Sequence, residues 1–289
     1  MNAIRSKDAA RLLHIMKMLM HTGSSWLLAA ILLLANLPAG AVPIPDELLQ
    51  DDHFREELGV NDFTVPSIRK IFEDLEALEP LPYEQLTREL PRPQTTDRLV
   101  LALNFGGIIA DGFLIVQLKD PNQIEDVART ILKYCDSMGV GVRVKPHGKA
   151  LLEKAFNQQW DTLKEELAAT QADVEYEMLQ LRDEQFAHLI SLGGWLRALE
   201  IASESVAEEY DPGRADNLVR PTLVDYFQDR LQYLHPRLRE KPLILLIEDN
   251  LDQIRLILAN APQNGQLGHQ QVREIHHLTR AMNRAIAQG

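Results

Sequence analysis

The sequence predicts an all-α protein, a multi-helix up-and-down bundle with a proline-rich N-terminal arm. Three observations carry that reading. After residue 97, apolar residues recur at three- and four-residue steps over long tracts. Aspartates, N1 prolines and glycines sit where such tracts should begin and end. No segment alternates with period two, and the Asn264-Gly265 pair, a hairpin signal elsewhere, falls between helical patterns.

Residues 1–41 differ in kind from the rest. Arg5, Lys7, Arg11 and Lys17, against Asp8 alone, precede an apolar run from Trp26 to Leu34 and then Ala39-Gly40-Ala41. This is the order of a secretory signal peptide cut after Ala41. The apolar run falls short of the roughly 20 residues of a spanning helix, so a cleaved leader is expected and a retained anchor is the alternative. Cleavage would leave the remainder periplasmic or extracellular. The chain has 30 Lys and Arg against 42 Asp and Glu, a net charge of −12, and loss of the basic leader makes the remainder more acidic. Such a field repels nucleic-acid phosphates and anionic headgroups. Nucleic acid is therefore not an expected partner, nor is a membrane beyond the export signal. The single cysteine, Cys135, excludes an intramolecular disulfide and sits in an apolar-periodic stretch, as a buried thiol would.

Pro43, Pro45, Pro66, Pro80, Pro82, Pro91 and Pro93 cut residues 42–97 into short pieces. This is the arm. It holds one helix over 67–78, with Ile68, Ile71, Phe72, Leu75 and Leu78 on a stripe, and a weaker one over 83–90. The bundle domain, 98–289, opens with a helix over 99–118 that is apolar almost throughout. It is long enough to cross a membrane, but Gly106, Gly107, Asp111 and Gly112 oppose insertion, a central Asp alone by ~3 kcal/mol. A helix apolar on all sides belongs at the centre of the bundle. Asp120-Pro121 caps a second helix through Ile124, Val127, Ile131 and Leu132, ended by Gly139 and Gly141. Residues 140–148 read as a loop. From 149 to 210 there is no proline, and Trp160, Leu163, Leu167, Val174, Met178 and Leu181 form a stripe. An unbroken helix from Trp160 to Tyr210 would reach roughly 75 Å, too long for a domain of this size, so the tract must break. The candidate breaks are 182–185 and Gly193-Gly194. Three more helices follow, over 222–234, 242–261 and 267–287, the last with Val272, Ile275, Leu278, Met282 and Ile286 on one face.

Two constellations are candidate sites. The pairs Gly106-Gly107 and Gly193-Gly194 interrupt apolar helices at about 0.5–1 kcal/mol per glycine, a cost that close helix packing or room for a ligand would offset. Asn104 and Asp111 are seven residues apart, on one helical face with Gly107 between them. A buried Asp requires a partner, and Arg197, four residues after Gly193, is the candidate. These residues are either a structural bridge or, with the glycines, the lining of a small polar ligand pocket. The second constellation is Arg143, Lys145, His147 and Lys149 in the 140–149 loop, ahead of a helix N-terminus that would favour an anion. It is either an anion site or a solvated loop.

Glu274 precedes His277 in a Glu-x-x-His spacing, but no second copy stands on another helix, as a di-iron bundle needs. No Gly-x-Ser-x-Gly elbow is present. No metal, cofactor or catalytic residue is expected. The functional expectation is an exported, non-enzymatic helical protein that acts as a binding or interaction module in the cell envelope, toward a protein partner or a small ligand. The alternative is a small-ligand or anion sensor that uses the bundle centre or the basic loop.

Overall fold

The chain divides into two units, residues 1–44 and 45–289. The computed structural model describes residues 75–289 except 77, 80, 219 and 262–265. The expected leader and most of the expected 67–78 helix lie outside the described residues.

All regular structure among the described residues is helical. Eight helices are longer than one turn: α1 Arg98–Leu118, α2 Pro121–Met138, α3 Gly141–Phe156, α4 Trp160–Gln180, α5 Glu184–Glu208, α6 Pro221–Gln232, α7 Pro242–Ala259 and α8 His269–Gln288. A single turn at Tyr83–Leu86 precedes α1, and single turns at Pro212–Ala215 and Pro236–Arg239 lie between α5 and α6 and between α6 and α7. The first is shorter than the 83–90 helix expected from sequence, because Thr87 is already extended at ψ 145°.

Helix starts follow side-chain chemistry. Asp97 accepts from Leu99 N at 3.0 Å, Asp120 from Asn122 N at 2.9 Å and Asp211 from Gly213 N at 2.8 Å, each satisfying an orphan amide of the first turn. Prolines stand at the start of α2, α6 and α7, where the missing N–H costs nothing.

Every residue of α1 from Leu99 to Val116 is buried. It packs against α5, α2, α4 and α8, the central position its apolar character called for. α6 and α7 close over the far side of α5 through Trp195, stacked on Phe227 at 4.9 Å between centroids, with Ile244, Ile247, Leu251 and Ile254 buried on α7.

The 149–210 tract breaks twice, at 157–159 and at 181–183. The second overlaps the polar candidate break at 182–185 and leaves Leu181, expected on the stripe, exposed beyond the helix end; the other candidate, Gly193-Gly194, instead lies within the continuous helix α5. The first was not foreseen. At both breaks, and after α1, the chain turns through a non-glycine residue in the left-handed region: Lys119 (φ 55°), Gln158 (φ 57°) and Arg182 (φ 58°). Such a residue costs about 1–2 kcal/mol, which the packing of the helices on either side must offset, so residue type at the turn does not announce it.

The expected 140–148 loop is instead the first half of α3. Val144, Gly148, Leu151 and Ala155 form one buried stripe against α2 and α4, and that burial outweighs the interior Pro146. An ideal Cβ on Gly148 would stand 2.6 Å from the Leu132 side chain, so this glycine seats α3 on α2.

Candidate functional site

The two glycine pairs, similar in sequence, are the two sides of one helix contact. A Cβ on Gly106 would lie 1.9 Å from the Ile190 carbonyl oxygen and 2.6 Å from Gly194 N, and one on Gly193 would lie 2.0 Å from the Leu103 oxygen. α1 and α5 therefore touch backbone to backbone, and no ligand-sized space separates these glycines. Gly107 does a different job. Its absent side chain leaves space for the Arg88 guanidinium, whose Nη2 would be 3.2 Å from a Cβ there.

That guanidinium belongs to a buried ionic network. Asp111, 2% exposed, accepts from Arg197 Nε at 2.7 Å and from Arg88 Nε at 2.9 Å. Arg197, 3% exposed, also donates from Nη1 to Glu200 Oε2 at 2.9 Å and from Nη2 to the Leu86 carbonyl. All three guanidinium nitrogens of Arg197 are engaged, and two cations face two carboxylates, so the buried charges balance. Burial alone would lower the Arg197 pKa, but Asp111 and Glu200 outweigh it and raise it. The network also fastens the 86–88 segment onto the bundle.

Asn104 takes no part in it. Its amide donates to Val100 O at 3.1 Å and to Ile286 O at 2.8 Å, satisfying a carbonyl in the last turn of α8. The structure thus joins Asp111 to Arg197 and separates Asn104 from both.

The basic residues are distributed along α3 rather than gathered in a loop. Lys145 is 3.7 Å from Asp136 Oδ1, Lys149 is exposed on the helix, and Arg143 falls in its first turn. His147 has both ring nitrogens on carboxylates of α4, Nδ1 on Glu166 Oε1 at 2.5 Å and Nε2 on Asp173 Oδ2 at 2.8 Å. Burial disfavours a charged ring there, yet the hydrogen bonds to Asp173 and Glu166 prevail and raise its pKa. For Glu166, burial is likewise outweighed by Lys154 and His147, and its pKa falls. The sequence expectation of a site that presents donors to a free anion meets, at His147, a ring already held by two carboxylates.

No group of three His, Cys, Asp or Glu among the described residues is placed to hold a metal ion. The mainly apolar space beside α5, α6 and α7, lined by Trp195, Leu199, Leu223 and Ile254 among others, amounts to only about 60 Å³, below the roughly 300 Å³ at which small-molecule sites begin.

A larger opening lies directly above the ionic network. It is a cleft of about 460 Å³ between residues 85–88, α5 and α8, lined by Arg88, Arg197, Glu200, Glu204, His276, Arg280, Asn283 and Arg284 with four neighbours. Helices α5 and α8 run antiparallel along it: His276 Nε2 pairs with Glu204, Asn283 Nδ2 donates to Leu196 O at 3.0 Å, and His269 reaches Ala207 O. Arg280 and Arg284 are exposed, one turn apart, and have no hydrogen-bond or ion-pair partner among the described residues. Arg88 and Arg197 are balanced by Asp111 and Glu200, which leaves Arg280 and Arg284 against Glu204 and makes the cleft locally basic on a chain of net charge −12.

Comparison with known protein families, curated proteins and solved structures finds no match. The functional reading therefore rests on the chemistry of the cleft.

Sequence reasoning reached the floor of this cleft, Asp111 and Arg197, and missed its walls. The signals were two i, i+4 pairs of like charge, Glu200 with Glu204 and Arg280 with Arg284. Like charges at that spacing oppose helix stability unless something of opposite sign faces them.

Proposed function

We propose that this chain is an exported, non-enzymatic helical binding module of the cell envelope, and that the arginine-lined cleft between residues 85–88, α5 and α8 takes a small ligand bearing negative charge. The single observation that carries the reading is the pair Arg280 and Arg284, exposed and without a partner among the described residues, above a buried ionic floor on a strongly acidic chain. Guanidinium groups suit carboxylate and phosphate oxygens through paired N–H donors. The size of the cleft, about 460 Å³, falls within the roughly 300–1,000 Å³ of small-molecule sites. The reading as a binder draws support from Asp111 and Arg197, which neutralise and immobilise each other. The reading as exported draws support from the leader-like order of residues 1–41.

The test is a thermal-shift and calorimetric screen of the full chain with small anions and zwitterions, repeated on Arg280→Glu/Arg284→Glu. A true ligand at a hundred times its dissociation constant stabilises by about 2.7 kcal/mol. That gain should vanish in the double variant, whereas a wild-type chain unaffected by every probe would defeat the proposal. Export is checked by fractionating expressing cells and reading the N-terminus of the accumulated protein, which should begin at Val42. Full-length protein confined to the cytosol would count against it.

A further inference from the structure

The cleft carries two rows of opposite charge that do not pair with each other. On the α5 wall, Glu200 and Glu204 stand one turn apart, with side chains 13% and 18% exposed. On the α8 wall, Arg280 and Arg284 stand one turn apart and exposed. No ion pair joins the rows among the described residues. Glu200 is turned to Arg197 and Glu204 to His276, each through Oε2. Their Oε1 atoms have no partner among the described residues. A carboxylate has room for about four hydrogen bonds across its two oxygens, so the acidic wall retains accepting capacity and the basic wall retains donors.

A plain anion would satisfy the arginines but would meet repulsion from two half-shielded carboxylates across the same cleft. A plain cation would meet the converse. A molecule with an ammonium at one end and a carboxylate at the other satisfies both rows, and it relieves the like-charge repulsion within each. Resting on the proposal that this cleft is a ligand site, we propose that its ligand is a small zwitterion, an amino acid or short peptide, with its ammonium toward Glu200 and Glu204 and its carboxylate toward Arg280 and Arg284. The buried Asp111–Arg197 pair beneath acts as a positioning element: it holds Glu200 in place through Arg197 Nη1 and fixes the 86–88 wall through the Leu86 carbonyl.

The experiment is calorimetry on the full chain with three probes of similar length, 5-aminopentanoate, glutarate and cadaverine, followed by L-alanine and alanyl-alanine to separate a free amino acid from a peptide. Zwitterions are expected to bind more tightly than glutarate or cadaverine. Arg280→Glu/Arg284→Glu should weaken them about tenfold or more, the scale of one lost ionic hydrogen bond. Glu204→Gln, which leaves the Arg197 network intact, should weaken zwitterions and strengthen glutarate, an inversion that a merely structural role would not produce. Glutarate binding with no zwitterion bound overturns the zwitterion assignment and leaves the anion-binding reading standing. Cadaverine binding alone, or no binding by any probe, overturns both.

Discussion

Replacing Asp111 by asparagine tests the buried network with almost no change in shape. The substitution removes one of two negative charges facing Arg88 and Arg197, and it turns an NH2 group toward a guanidinium donor at a position where oxygen now accepts at 2.7 or 2.9 Å. Both Asp111 and Arg197 are about as buried as the surrounding leucines, so water cannot replace the lost charge. Breaking such a pair from one side costs about 3–5 kcal/mol. With a urea m-value near 3 kcal/mol/M, at the upper end for small proteins, the unfolding midpoint should fall by about 1–1.7 M. Arg197→Met should cost a similar amount, because it leaves Asp111 with Arg88 only and strips Glu200 of its partner. The double variant Asp111→Asn/Arg197→Met should lose well under the sum, with a coupling of at least about 1 kcal/mol. Urea unfolding followed by circular dichroism reads all three. Strictly additive losses, or a midpoint for Asp111→Asn within about 0.3 M of wild type, would refute the reasoning that these charges depend on each other.

Gly193→Ala should destabilise by about 3 kcal/mol or more, since its Cβ would stand 2.0 Å from the Leu103 carbonyl oxygen and α1 and α5 would have to separate; Gly268→Ala, whose Cβ finds nothing nearer than 3.6 Å, should stay within about 0.5 kcal/mol, and equal effects in chemical denaturation would contradict the close contact. Stability contributed by His147 should be fully present below its unfolded value of 6.5 and be lost as pH rises through its raised folded value. Glu166, held below 4.5, contributes above that value and loses its contribution as pH falls. The midpoint difference between wild type and His147→Gln should therefore be largest between the ordinary values of Glu166 and His147 and shrink as pH rises above 6.5 through the raised folded value; a difference independent of pH would remove the charged clamp. Cys135, its thiol pushed up to about 12 by burial and then by Asp136, should resist Ellman's reagent near pH 8 in the folded chain and react once urea is added; prompt labelling of native protein would show the thiol to be accessible.

What could be read directly from the residues was whatever depends on neighbours along the chain. The helical period over α4 and α8 and the Asp120-Pro121 start of α2 act within one or two turns, so each is visible in a short window. The burial of α1 was also legible, because an apolar helix without a polar face has only the interior to occupy. Asp111 and Arg197 were within reach as partners because a buried carboxylate compels a search for a cation.

Tertiary structure decided the rest. Whether 140–148 is loop or helix turned on a stripe of Val144, Gly148, Leu151 and Ala155 that gains its energy only against α2 and α4. The breaks at 157–159 and 181–183 use Gln158 and Arg182 in a strained backbone region, affordable only because the flanking helices are packed. Gly106 and Gly193 lie within continuous helices, and only the fold shows that they meet each other. The cleft is the clearest case: Glu200 and Glu204 are about eighty residues from Arg280 and Arg284 in sequence, and only the antiparallel pairing of α5 with α8 sets them face to face. Hydrogen-bond chemistry within a turn is local and therefore written in sequence. The summed burial and opposed charges of distant helices exist only once those helices have come together.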